Sequence, residues 1–280
     1  MTYDFEIENY SFQRNTSTTF DSIFNEAERD ELVALCKKVF NRDFTNGLCV
    51  RADYCRRSEQ GTSVGLSIVN FYDFLLSNIT LFNIEKLFHA ATKEQADYLF
   101  RLKERFDSDG QPDSVKSILQ RNYLANTLAV SLLIQDRLGR FLLTKRNNAV
   151  GISSGFVSVT VTGAIDENDY LEQDPFRNCC QRELYEEMGY EMDRNLINPF
   201  MVVCGEKKLQ PIVLANAIVD DITEVTSKIV QHQDFALENS GFSICSKLQL
   251  STLLSDRRIR ITEAARTHLE SVILDYETKL

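Results

Sequence analysis

The sequence predicts an α/β protein in two parts: an N-terminal α+β accessory unit over residues 1–120 and a mixed α/β domain over residues 121–280. Three observations predict it. From residue 123 onward, strand-like runs stand on both sides of one sharply bounded amphipathic helix. Before that, a helix-patterned stretch leads into two short strands and then more helix. Between the two parts, Asp-Ser-Asp-Gly-Gln-Pro-Asp-Ser at 107–114 collects turn formers and reads as a linker. A chain of 280 residues exceeds one average domain and is long enough to bury a substantial core.

Taken in order, Ile23, Phe24, Ala27, Leu32, Leu35, Cys36 and Val39 recur at an imperfect helical spacing and predict a helix over 21–42. Residues 48–54 and 64–69 predict strands. The aromatic run at 70–78 reads as a turn leading into helices over about 84–106. In the second part, the apolar runs 126–135 and 141–146 flank Asp-Arg-Leu-Gly-Arg, which predicts a hairpin with Gly139 at its tip. Val157, Val159 and Val161 alternate with Ser158, Thr160 and Thr162, predicting another strand that leads directly into the central helix. After that helix, 199–207 and 211–220 predict two strands joined by a charged turn at 206–208. A helix over 222–231, a short strand at 241–245 and a closing helix over 262–279 complete the pattern.

The central helix is the best marked element. Asp174 suits the N-cap, Pro175 fits the first helical position, where a missing N–H costs nothing, and Gly189 ends the helix. Phe176, Cys180, Leu184 and Met188 recur every fourth residue as a core-facing stripe. Glu183, Glu186 and Glu187 fall at i, i+3 and i+4, so three acids share one patch. Like charges at that spacing destabilise a helix by a few tenths of a kcal/mol per pair, and Arg182 satisfies part of the cluster alone. A hard divalent cation such as Mg²⁺ prefers oxygen ligands and commonly sits between carboxylates and substrate phosphates.

Composition narrows the partners. A net charge of −10 argues against a general nucleic-acid surface, because phosphate neutralisation requires clustered Lys and Arg. No apolar run of 18 residues occurs and the first residues are acidic and polar, so neither a membrane span nor a secretory signal is indicated and a cytoplasmic location is expected. Seven cysteines, an odd number with no C-x-x-C pair, suit reduced structural thiols better than a disulfide scaffold or zinc site. His89, His232 and His268 have no metal-ligand spacing.

Residues 182–190, Arg-Glu-Leu-Tyr-Glu-Glu-Met-Gly-Tyr, match position for position the second half of the Nudix box, R-E-U-x-E-E-x-G-U with U bulky and apolar or aromatic. Over 123–280 the chain resembles Nudix hydrolases. Upstream it departs from the pattern: Asp174 stands where the family has glutamate, Gly163 lies eleven residues before it, which makes the loop five residues longer, and Ala164 replaces a second glycine.

The resemblance implies an α/β/α sandwich around a mixed sheet and hydrolysis of a nucleoside diphosphate linked to another moiety. It implies Glu183, Glu186 and Glu187, with the Gly163 carbonyl, as ligands for Mg²⁺ or Mn²⁺. Arg182 would orient the glutamates, Lys145 and Arg146 would contact substrate, and Glu238, favoured over Glu206 and Glu224, would assist catalysis.

Shorter matches, including Gly65-Leu66, Tyr72-Asp73-Phe74-Leu75 with Asn78, and the E-x-x-G-F run at 238–242, loosely resemble UDP-glucose-hydrolysing members, which release UMP and a sugar 1-phosphate. ADP-ribose or a dinucleotide is the alternative substrate, and a nucleotide-binding sensor or scaffold without turnover is the alternative class. The histidine-rich site of Nudix-like isopentenyl diphosphate isomerases has no counterpart. Pairing of two copies as a homodimer is left open.

Overall fold

The computed structural model describes residues 2–147, 155–205, 208–232 and 234–277. The chain divides into two compact units, Met1–Leu128 with Val202–Pro211, and Ala129–Met201 with Ile212–Leu280. The sequence reading set its boundary at 120/121.

In the first unit, strands β1 (Thr2–Glu6) and β2 (Ser11–Arg14) precede helix α1 (Glu26–Phe40). The helix starts later than residue 21 because Asn25 caps it. Its side chain accepts from Glu28 N at 3.1 Å and the Glu28 carboxylate accepts from Asn25 N at 3.0 Å. Strands β3 (Leu48–Ser58) and β4 (Gly61–Asn70) form an antiparallel hairpin, and β2 pairs parallel to the other edge of β4.

The 70–78 run is helical, not the expected turn: α2 (Phe71–Phe74), a π-helical turn (Leu75–Ile79) and α3 (Thr80–Phe82) follow one another. Asp73 accepts from Asn70 N at 2.8 Å to start it, and burial of Phe74, Leu75, Leu76 and Ile79 holds it. The helices expected over 84–106 are α4 (Ile84–Phe88) and α5 (Lys93–Ser108), divided where Thr92 caps a new start with Gln95. Residues 107–114 run from the end of α5 to α6 (Val115–Leu119) and lie inside this unit. Arg51, fully buried, is paired with Asp53, which also accepts from Ser67 and Thr19 at 2.9 Å each.

In the second unit, β5 (Ala129–Asp136) and β6 (Arg140–Arg146) form the expected hairpin. Asp136 closes its turn by accepting from Leu138 N and Arg140 N at 2.9 Å, and Gly139 takes φ 72°. Then come β7 (Val157–Ser158), β8 (Val161–Ala164), α7 (Glu167–Leu171), α8 (Pro175–Met188) and a 3-10 turn (Arg194–Leu196). Strand β9 (Ile197–Gly205), which passes into the first unit at Val202, strand β10 (Pro211–Val219), which returns from it after Pro211, helices α9 (Ile222–Ile229) and α10 (Phe235–Glu238), strand β11 (Asn239–Ser246), and helices α11 (Lys247–Ser255) and α12 (Glu263–Glu277) complete the chain.

The order β9-β10-β5-β6-β11 is mixed: β10 runs parallel to β5, while β6 and β11 are antiparallel neighbours. The strand expected through Val157, Val159 and Val161 is broken in two. Thr160 accepts from Ile134 N at 2.8 Å and donates to Leu142 O at 2.7 Å, wedging between β5 and β6. Consequently β7 stays on β6 and β8 crosses to β5.

Alternation along β5 assigns the two faces of the sheet. Leu133, with Phe141 and Leu143 of β6, packs against Leu250 of α11 and Ala265 and Leu269 of α12. Val130 pairs with Gly163 on the opposite face, where α8 lies. The unit is therefore a helix–sheet–helix sandwich. Helix α11 was not anticipated, although Ser246 and Gln249 cap it reciprocally.

His268 is fully buried between Ser131 Oγ (3.1 Å) and Asn216 Oδ1 (2.9 Å), and burial pushes its imidazolium pKa down to about 3. It is a neutral core residue at ordinary pH. The seven cysteines are free thiols. Among the described residues no helix is long and apolar enough to cross a membrane.

Candidate active site

Helix α8 forms as its sequence dictates. The Asp174 side chain accepts from Arg177 N at 3.1 Å, Pro175 occupies the first turn, and Gly189 takes φ 64° with its N–H on Tyr185 O at 2.8 Å. Phe176, Cys180, Leu184 and Met188 are all fully buried against the sheet. That anchorage sets the rotation of the helix and so the direction of its acids. His232 Nε2 donates to the Glu186 carbonyl at 2.7 Å, satisfying an acceptor in the last turn.

Glu183 lies against β8 at Gly163. A methyl group at Gly163 would overlap the Glu183 carboxyl, so glycine is required here for close approach, whatever its backbone angles. Gly163→Ala is expected to displace Glu183 and to destabilise the chain by about 1–3 kcal/mol. An unchanged urea midpoint would show that the carboxyl sits elsewhere.

Arg182 organises the acids. One of its nitrogens, Nη1, donates to Glu183 Oε1 and to Glu186 Oε2, both at 2.9 Å. Its Nη2 donates to Asp169 Oδ2 at 2.8 Å and to the Ala164 carbonyl at 3.0 Å. Burial works against the guanidinium charge, but hydrogen-bonded Asp169 and the surrounding acids carry its pKa up.

Asp169 was missed by sequence reasoning. It sits fully buried on α7, between Gly163 and Asp174, and its available signal was the Asp166–Asp169 capping box. Asp174 caps α8, while Asp169 grips Arg182.

Burial pushes the Glu183 carboxyl up to about 7, with Arg182 opposing and Glu186 adding to the rise. For Glu187, 7% exposed, burial pushes the value up to about 8; the charge on Glu183 adds, and a hydrogen bond from Asn239 Nδ2 at 3.1 Å opposes. Asn239 is the second residue that sequence reasoning missed, although it immediately follows Glu238.

Arg146 and Glu238 are brought together at 3.4 Å, and Arg146 also lies 3.4 Å from Thr162 Oγ1, next to Gly163. Its charge is felt at Glu187. Alternation along β6 turns exposed Lys145 to the opposite face, in line with Leu143 and Phe141, so the two cations are separated. Glu224 is exposed in the first turn of α9, and Glu206 lies outside the described residues.

The candidate donors Glu183, Glu186 and Glu187 are hard oxygens, and Glu183 lies against Gly163. Around them one guanidinium faces Asp169, Glu183 and Glu186, with Glu187 nearby, so fully ionised acids leave an excess of negative charge. That chemistry fits Mg²⁺ or Mn²⁺. Among the described residues no three His, Cys, Asp or Glu side chains are already gathered as a ligand set, because Arg182 draws Glu183 and Glu186 to itself.

No protein-family model matches the chain, and no curated protein matches it. Among solved structures it is similar to a NUDIX hydrolase from Alicyclobacillus acidocaldarius, at 13% identity and TM-score 0.41, over 52% of this chain and 90% of that one. It is also similar to a MutT protein from Methanosarcina mazei Go1, at 20% identity and TM-score 0.36, over 55% and 95% of the two chains. A MutT NUDIX hydrolase from Burkholderia pseudomallei matches at 20% identity and TM-score 0.34, over 52% and 96%.

Proposed function

We propose that the chain is a divalent-metal-dependent diphosphatase of the Nudix type, acting on a nucleoside diphosphate linked to a second moiety. The observation that supports this reading is the acidic face of α8, where Glu183 is packed against Gly163 and Glu187 is buried while Glu186 and Arg182 complete the group. Buried carboxylates without full compensation are costly and mark sites built for a cation.

Glu183, Glu186, Glu187 and the Gly163 carbonyl would hold Mg²⁺ or Mn²⁺. When bound, the ion supplies charge neutralisation on phosphoryl oxygens and a lowered pKa for adjacent water. Arg182 keeps Glu183 and Glu186 in register through charge-assisted hydrogen bonds. Arg146, at the rim, would bind a substrate phosphate, and its present partner Glu238 would accept the proton of the attacking water, a task one of the box glutamates could share. Among substrates, the loose sequence likeness favours a UDP-sugar, split into UMP and a sugar 1-phosphate, with ADP-ribose or a dinucleotide next.

Product release from UDP-glucose, other UDP-sugars, ADP-ribose, NADH, diadenosine polyphosphates and free NTPs, each with Mg²⁺, Mn²⁺ or EDTA, tests the reading. Metal-dependent UMP formation from UDP-glucose supports both site and substrate. Cleavage of another compound keeps the diphosphatase and discards the UDP-sugar. Nucleotide-induced thermal stabilisation with no product from any compound overturns turnover in favour of a sensor or scaffold.

A further inference from the structure

Arg182 directs its donors to Asp169, Glu183 and Glu186, whereas the hydrogen bond to Glu187 comes from Asn239. Asn239 is 3% exposed and opens β11, where the ladder with β6 slips. Asn239 stands opposite Arg146 and Gly241 opposite Lys145, which leaves Ser240 as an extra residue. A bulge of this kind re-aims the side chains beside it.

Further bonds pin both sides of the bulge. Asn147 N donates to the Glu238 carbonyl and Asn147 Nδ2 to the Ala236 carbonyl, both at 2.8 Å, and Ser240 Oγ donates to the Lys145 carbonyl at 3.3 Å. Consecutive residues thereby serve different partners. Glu238 faces Arg146, and Asn239 faces Glu187.

The chemistry of the donor matters. An arginine or lysine in this place would neutralise Glu187 and compete with a cation. A carboxamide fixes one carboxylate oxygen and leaves the negative charge intact. From the bulge geometry and this hydrogen bond we propose that Asn239 is a positioning residue for Glu187, holding Oε2 so that Oε1 is presented to a divalent cation. The inference rests on the diphosphatase reading and deepens it. Outer partners of metal ligands typically change affinity or activity 10- to 100-fold when removed.

The test is titration of Mn²⁺ alone into the full chain, following free Mn²⁺ by electron paramagnetic resonance, for the unsubstituted chain, Asn239→Leu and the milder Asn239→Ala. Thermal unfolding in EDTA establishes that each variant is folded. The expected result is a Mn²⁺ Kd raised about tenfold or more in both folded variants. In turnover assays kcat falls while substrate KM stays within about twofold, the pattern of a group acting on the reacting centre and not on substrate binding. Mn²⁺ affinity retained in either folded variant overturns the role of Asn239 and leaves the diphosphatase reading standing. Failure of the unsubstituted chain to bind Mn²⁺ overturns both.

Discussion

Glu187→Gln is expected to lower kcat/KM by about a thousandfold or more while leaving the chain folded. The substitution keeps the shape of the side chain and an oxygen for the Asn239 amide, but removes the charge that a divalent cation requires. Transition-state charge stabilisation by such an ion amounts to several kcal/mol, and each 1.36 kcal/mol is about tenfold in rate. Glu186→Gln is expected to behave alike, and near-normal turnover in both variants would sink the assignment.

The same substitution has a signature in stability. Burial pushes Glu187 up from 4.5 to about 8 and Glu183 up to about 7, so the folded, metal-free chain holds protons that the unfolded chain releases. Stability from this source is fully present below about pH 4.5 and is lost as pH rises through the folded values. Urea unfolding in EDTA between pH 5 and 8.5 should show that decline, and Glu187→Gln should flatten it. A decline of equal slope in the variant would mean that other groups cause it.

Asp169→Ala is expected to destabilise the chain by about 3 kcal/mol. Removing one partner of a buried ion pair strands the other, at about 3–5 kcal/mol for full burial, and Arg182 is partly open to solvent, which favours the lower end. Turnover should fall as well, because Arg182 loses the anchor from which it holds Glu183 and Glu186. A loss below about 1 kcal/mol, measured as a shift in urea midpoint at constant slope, would show that Glu183 and Glu186 suffice to hold the guanidinium.

Much of the site was legible because α8 carries its own instructions. Asp174, Pro175 and Gly189 bound it, and a four-residue apolar repeat orients it, all within one local stretch. What stayed hidden depends on long-range contact. Asp169 meets Arg182 across 13 residues and Asn239 meets Glu187 across 52, and no periodicity reports either. The break between β7 and β8 was masked because Val157, Val159 and Val161 alternate without interruption, while the cause is a Thr160 hydroxyl reaching two other strands. The aromatic run at 70–78 was misread because its helical signal lies in capping by Asp73 and in burial, not in strong helix formers.

Helix α7 bears on where the guanidinium of Arg182 finds its charge balance. Measured along the chain, Asp169 stands thirteen residues before Arg182. Measured in space, Asp169 lies 2.8 Å from the guanidinium. The anchor of Arg182 is thus set by a contact between α7 and α8, so a shift of α7 along α8 would loosen the hold on Glu183 and Glu186 without touching either residue.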